Sequence, residues 1–259
     1  MAGEYHFVPY RYGCFSFQAN ADLRTLIKYH EVGESEETWR KVSGTPYLVN
    51  LQAQDRQLLR KLYALYGLSS ASELIHLTYT RYPYYAIKSS IAERHLNREE
   101  LAAVEQEKPL SGEMGLYTIG YEGISLEEYL NKLIRCDVKV LCDVRRNAMS
   151  MKYGFSKSQL LNACDGLGVK YLHIPEVGIA STKRQKLERQ EDYDRLFADY
   201  SASTLENTYD QQEQIIDLIK NYYRVALTCF EKDICQCHRK PLAESSARRP
   251  RFNYNVWHI

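Results

Sequence analysis

GLYTIGYEGISLEEYLNKLIRCDVKVLCDV (115–144) decides the fold. GLYTI (115–119) is a short β-rich run that ends at Gly120. Ser125 and Glu128 have capping-box spacing and open a helix over SLEEYLNKLIR (125–135). VKVLCDV (138–144) reads as a buried strand. Strand, helix, strand in about thirty residues is a βαβ unit, and such units build parallel sheets.

The pattern continues outward. SKSQLLNACDGLG (156–168) reads as a helix capped by Ser156 and Gln159 and stopped by Gly168. VKYLHI (169–174) is a strand, QEQIIDLIKNYY (212–223) a helix and RVALTC (224–229) a strand. CHRKPLAESSA begins a last helix, and residues 181–209 read as a polar, mobile stretch. The expectation is an α/β fold: a mainly parallel, Rossmann-like sheet with flanking helices.

Upstream the texture changes. Residues 1–92 hold 11 of the 22 tyrosines and few β-branched runs. DRQLLRKLYALYG (55–67) places Leu58, Leu59, Leu62, Leu65 and Tyr66 on one helical face, with Gly67 as a stop. Ser70 and Glu73 cap a second helix carrying Leu74 and Leu77. The pair is compatible with a helix-turn-helix, but the second helix has few basic side chains, which favours a plain helical hairpin. Tyr82, Tyr84 and Tyr85 around Pro83 read as a stacking platform or a packing edge. The expected organisation is a smaller, mostly α-helical domain at 1–105, a linker at 106–114, the α/β domain at 115–245 and a basic aromatic tail at 246–259.

Composition bounds the function. The chain has 259 residues, 44% hydrophobic and 26% charged, with a net charge of +1, so it has enough apolar surface for a real core and is no whole-chain polyanion binder. No apolar run is long enough to span a membrane, and no signal peptide is visible, so no membrane partner and a cytoplasmic location with reduced thiols are expected. The near-zero net charge hides asymmetry. Residues 145–186 hold eight Lys/Arg against two Asp/Glu, and residues 93–128 hold nine Glu against three Lys/Arg. A basic rim of this kind attracts phosphates and polynucleotides. Lys183, Arg184 and Lys186 belong to it, and the tail adds Phe252, Tyr254 and Trp257, an interleaving suited to weak single-strand binding.

Ligands of open α/β sheets bind beyond the carboxyl ends of the strands. The first strand delivers Gly120, Tyr121, Glu122 and Gly123 there, and the second Asp143, Arg145 and Arg146. The third delivers His173 and Glu176; the fourth delivers Cys229 and Glu231, then Cys237, His238 and Arg239. Arg145 and Arg239, with Gly120, Tyr121 and Gly123, are expected to bind an anion. Asp143, Cys237, His238 and His173 are the candidates for nucleophile or base, with Cys229 and Glu231 in support. A thiol at a helix N-terminus beside an arginine should have a depressed pKa. Cys229, Cys235, Cys237 and His238 also offer zinc ligands, but C-x5-C-x-C-H is not a common zinc spacing, so no metal or other cofactor is expected.

YTIGYEG (117–123), DVRRNAMS (143–150), GFSK (154–157), GVKYLHIPEVG (168–178) and CFEKDICQCHR (229–239) together resemble the prokaryotic domain-of-unknown-function family numbered four-eight-eight, over about residues 115–245. The resemblance implies an α/β fold that gathers Asp143, Arg145, Cys229, Glu231, Cys237, His238 and Arg239 at one end of the sheet; it supplies no reaction. This chain departs from the family pattern at Ala148, where Pro is usual, and at Met151, where Arg is usual. FVPYRYGCFSFQANADLRTLIKYHEVGE (7–34) with LLRKLYALYGLSSASELIHLTYTRYPYY (58–85) resembles the Panacea antitoxin-like domain, which implies an interaction module with a protein partner. Two functions are therefore expected as alternatives. One is an enzyme acting on a phosphate-bearing small molecule, nucleotide or nucleic acid. The other is a non-enzymatic nucleic-acid- or partner-binding protein of a phage-defence or toxin–antitoxin system.

Overall fold

The structure is a computed structural model that describes residues 5–35, 38–110, 112–184 and 187–259. Lys186 of the expected basic rim lies outside the described residues. The chain divides into two compact units, Met1–Lys108 and Pro109–Ile259.

The N-terminal unit opens with a hairpin of β1 (Val8–Tyr10) and β2 (Gly13–Phe15). Gly13 sits at φ +109°, and a Cβ there would lie 2.7 Å from the Tyr79 ring, so the turn requires glycine. The Ser16 side chain accepts from the Ala19 amide and caps α1 (Phe17–Lys28). A second hairpin, β3 (Val32–Glu34) with β4 (Trp39–Lys41), leads into α2 (Tyr47–Asn50), α3 (Ala53–Tyr66) and α4 (Ala71–Arg81). The Ser70–Glu73 capping box forms with both of its reciprocal hydrogen bonds. α5 (Ala92–His95) and α6 (Arg98–Glu107) close the unit around a small core of Tyr79, Ala86, Ala92, Leu96 and Val104. Tyr84 and Tyr85 meet edge to face and are half-buried, a packing edge rather than an open stacking platform. α3 buries none of its residues: Leu58, Leu59, Leu62 and Leu65 are 43–67% exposed.

The C-terminal unit is an α/β layer structure around a five-stranded sheet. In chain order its elements are β5 (Gly115–Gly120), α7 (Leu126–Arg135), β6 (Val140–Asp143), α8 (Lys157–Gly166) and β7 (Lys170–His173). Then follow α9 (Gln190–Tyr200), α10 (Tyr209–Tyr222), β8 (Arg224–Cys229), α11 (Arg239–Ala247) and β9 (Asn255–His258). All pairings are parallel, in the order β7-β6-β8-β5-β9. β6 and β8 are buried along their whole length, as their apolar sequences require of central strands. One face, with Leu116, Val140, Cys142, Val225 and Leu227, packs on Ile215 and Ile219 of α10 and Leu242 of α11. The opposite face takes α7, whose buried Tyr129 donates its hydroxyl to Thr228 at 2.7 Å.

Three local expectations are corrected. Residues 190–200 form α9 rather than part of a mobile stretch, because Phe197 and Tyr200 pack onto the sheet core while the acidic residues face water. Ser156 does not cap α8 with its side chain; its hydroxyl donates to the Ser150 carbonyl, and Gln159 accepts from the Gly154 amide. The basic aromatic tail is not free. β9 adds an edge strand beside β5, Trp257 stacks on Tyr117 with ring centroids 4.9 Å apart, and Phe252 and Tyr254 pack against the core. These rings are spent on the fold, which removes them as a base-stacking surface.

Candidate functional site

Because every strand of the five-stranded sheet runs parallel, the carboxyl ends of β5, β6, β7 and β8 share one edge of it. The residues expected to share one pocket divide there into two constellations. Asp143 is in register with Thr228, so Cys229, one residue further along β8, points to the opposite face.

The first constellation is a closed polar knot. Asp143 is fully buried and accepts from Arg145 Nε at 2.8 Å, Arg145 Nη2 at 2.5 Å, the Arg145 amide at 3.1 Å and the Tyr171 hydroxyl at 2.6 Å. Arg145 Nη1 donates to the Tyr121 hydroxyl at 2.7 Å and to the Phe155 carbonyl at 2.9 Å. Tyr121 stacks on Phe155 with centroids 4.2 Å apart. Burial opposes the charge on Arg145, but hydrogen bonds and attraction from Asp143 outweigh it and push its pKa up. Burial first, and the Asp143 charge second, push the Tyr171 hydroxyl up as well. The expected anion fork at Arg145 and the expected base at Asp143 are therefore each other's partners. Such a pair ties strand ends together and leaves few donors for a ligand.

Three further expectations change. A Cβ at Gly120 would lie 1.9 Å from the Glu231 carbonyl oxygen, so this glycine admits the chain after β8 rather than a phosphate. The amides of Tyr121 and Glu122 both donate to the Phe230 carbonyl, at 3.1 and 2.9 Å, and Gly123 sits at φ +79° as a turn residue. The loop thus has no cradle of free amides at its start. His173 donates Nε2–H to the Arg145 carbonyl at 2.9 Å, and its Nδ1 lies 3.4 Å from Lys157 Nζ. It is a fixed strand-end residue and does not serve Cys237.

The second constellation holds sulfur. Ligand atoms of Cys229, Glu231, Cys237 and His238 all lie within 4.8 Å of one another. His238 Nδ1 is 3.6 Å from Cys229 Sγ, and its Nε2–H donates to the Val144 carbonyl at 2.9 Å. Arg239, almost fully buried, donates Nε–H to Cys237 Sγ at 3.0 Å and Nη2–H to the Glu231 carbonyl at 2.6 Å. Arg184, from the short turn Ser181–Arg184, reaches Glu231 and sets Nη2 2.5 Å from His238 Nδ1. Burial alone would raise the Glu231 carboxyl; the Arg184 charge and the neighbouring thiols outweigh it and hold it below its usual value. For Cys237 the balance is reversed: burial and the adjacent Cys229 push its thiol well up. The depressed pKa expected at Cys237 is corrected on this ground, since a helix start and an arginine do not offset complete removal from water. Cys235 is exposed, and Glu231 rather than Cys235 completes the group.

A cavity of about 580 Å³ opens above this edge, a size usual for a small-molecule site. Arg145, Arg146, Lys152 and Arg184 line it with Asn147 and Ser150, Phe230 stands beside the buried Tyr121, and Cys229 and His238 reach it, so both constellations touch this one cavity. Among the described residues no carboxylate lines it. Arg146, Asn147, Ser150 and Lys152 come from the loop between β6 and α8; the sequence singles out Arg146 at the strand end, carries Asn147 and Ser150 only inside the motif DVRRNAMS, and counts Lys152 only in the net charge.

Residues 125–246 match the family model described as Domain of unknown function DUF488. The matched span holds Asp143, Arg145, Phe155 and Tyr171 of the first constellation and the whole of the second, begins after Tyr121, and leaves the N-terminal half uncovered, so the antitoxin-like resemblance of that half is not shown. Nothing among curated proteins or solved structures matches the chain. Among the described residues no helix is long and apolar enough to cross a membrane.

Proposed function

We propose that this protein, whose residues 125–246 match the DUF488 family, is an enzyme acting on a phosphate-bearing substrate of nucleotide size, with the cavity at the carboxyl edge of the sheet as its site. The observation that carries the reading is a cavity lined by Arg146, Lys152 and Arg184 with no carboxylate among the described residues. Guanidinium and ammonium groups around a recess favour a multiply charged anion, and the exposed Phe230 ring offers a face to a base or sugar. Reacting groups must come from the floor, where His238 and Cys229 reach the cavity.

A second reading, recognition without turnover, is favoured by the closed Asp143–Arg145 pair and the burial of Cys237, which remove two expected catalytic groups. Titration of nucleotides and short single strands into the protein, followed by product analysis, tests both. Binding that is lost in Arg146→Ala with Lys152→Ala supports the site. Product formation that needs His238 supports the enzyme, and binding with no product in any substrate class leaves recognition alone. Absence of binding at low salt defeats both. We propose a protein-partner role for the N-terminal unit on the exposed leucine face of α3.

A further inference from the structure

We propose that Cys229, Glu231, Cys237 and His238 bind one divalent ion of zinc type, and that the Arg184 guanidinium holds the ion's place in the metal-free protein. A four-coordinate zinc ion with bonds of about 2.0–2.3 Å needs ligand–ligand edges of about 3.3–3.8 Å. The Cys229 Sγ to His238 Nδ1 distance is already 3.6 Å, and all four ligand atoms fall within 4.8 Å of one another. Small side-chain rotations close the rest. Two thiolates, an imidazole and a carboxylate suit a borderline-soft cation.

The surroundings support a cation from three sides. Val144 accepts the Nε2 proton of His238, which leaves the Nδ1 lone pair facing the cluster, the usual orientation of a metal-ligating histidine. Glu231 Oε2 is buried and has no hydrogen-bond partner, although Oε1 is held by Arg184. Arg239 is 1% exposed, and among the described residues no carboxylate pairs with it; its Nε–H points at Cys237 Sγ. A buried guanidinium needs an anion, and a metal-bound thiolate supplies one.

Charge counting agrees. Two thiolates, one carboxylate and a divalent ion leave one negative charge, which Arg239 cancels. With neutral thiols and Arg184 in place, two guanidinium groups face one carboxylate. The simpler account, two thiols packed beneath a helix, leaves Glu231 Oε2 unpaired and Arg239 unmatched. Arg184 is well placed to yield: it sits at the end of a short turn, its side chain is 23% exposed, and its buried Nε has no partner. The site lies where Cys229 and His238 reach the cavity, so in the metal-bound protein these two act as ligands and not as free reacting groups; the proposal itself does not depend on what the cavity binds.

Cobalt(II) titration of the untagged full-length protein tests it. The expected result is one equivalent bound, with sulfur-to-cobalt charge-transfer absorption and the strong visible bands of a four-coordinate ion. Cys229→Ser and Cys237→Ser should each weaken the sulfur band. Arg184→Ala, which removes the competing cation from the cavity wall, should bind cobalt about tenfold more tightly, or about 1.4 kcal/mol. A parent protein without the charge-transfer band overturns the site. Unchanged or weaker binding in Arg184→Ala overturns the place-holding role. If the serine variants do not fold, the parent spectrum and Arg184→Ala still decide.

Discussion

Arg145→Ala should destabilise the C-terminal unit more than it affects any ligand. Asp143 is fully buried and takes two of its four hydrogen bonds from the Arg145 side chain. Truncation leaves that carboxylate with the Tyr171 hydroxyl and one backbone amide, and it strips the Tyr121 hydroxyl and Phe155 carbonyl of their donor. Removing one partner of a buried ion pair costs about 3–5 kcal/mol, a large part of a total stability of about 5–15 kcal/mol. At about 2–4 °C per kcal/mol for a domain of this size, Tm should fall by about 6–20 °C. Trp257 fluorescence is a suitable probe, because this ring stacks on Tyr117 within the same unit, whereas Trp39 is exposed in the other. Arg146→Ala, at an exposed position, should stay within about 0.5 kcal/mol of the parent. The double variant Asp143→Ala/Arg145→Ala should be more stable than the sum of the single losses, since no charge is stranded. If Arg145→Ala costs under about 1 kcal/mol and abolishes ligand binding, the closed-pair reasoning is refuted and Arg145 is an anion fork after all.

In chelator-treated protein, exposed Cys235 and Cys14 should be alkylated first. Cys237, buried and raised by that burial, should lag with Cys142 and Cys164, whose thiols burial pushes up to about 12; mass-mapped labelling at pH 7.5 that modifies Cys237 as fast as Cys235 contradicts this. Gly120→Ala should cost about 1–3 kcal/mol by overpacking, because its new methyl group meets the Glu231 carbonyl at 1.9 Å; an unchanged urea midpoint would sink the steric argument. Truncation before Asn255 should lower Tm by exposing the β5 edge and Tyr117, and a loss of nucleic-acid affinity at unchanged stability would restore the tail as a binding element.

How much was legible depends on the range of the interaction. The capping boxes at Ser70–Glu73 and Ser125–Glu128 span three residues and formed as read. The β-rich runs that became β5, β6, β7 and β8 announced themselves through burial along the chain. β9 did not, since Asn255–His258 is a strand only beside Gly115–Thr118, about 140 residues away. α9 was hidden because its apolar positions are interrupted by charges, and only the sheet beneath them makes Phe197 and Tyr200 a core face.

By itself the sequence determined that the C-terminal half is an α/β parallel sheet, and that Asp143, Arg145, Cys229, Glu231, Cys237, His238 and Arg239 gather at its carboxyl edge. Strand period, caps and turn residues are local, and parallel strands put all their ends on one side. Only the tertiary structure decided how these residues divide. The β6–β8 register sends Asp143 and Cys229 to opposite faces, locks Arg145 onto Asp143, and brings Glu231 rather than the nearer Cys235 to His238. Spacing along a chain fixes which residues reach an edge. Which of them touch is set by pleat direction, register and burial, and these exist only once the sheet has formed.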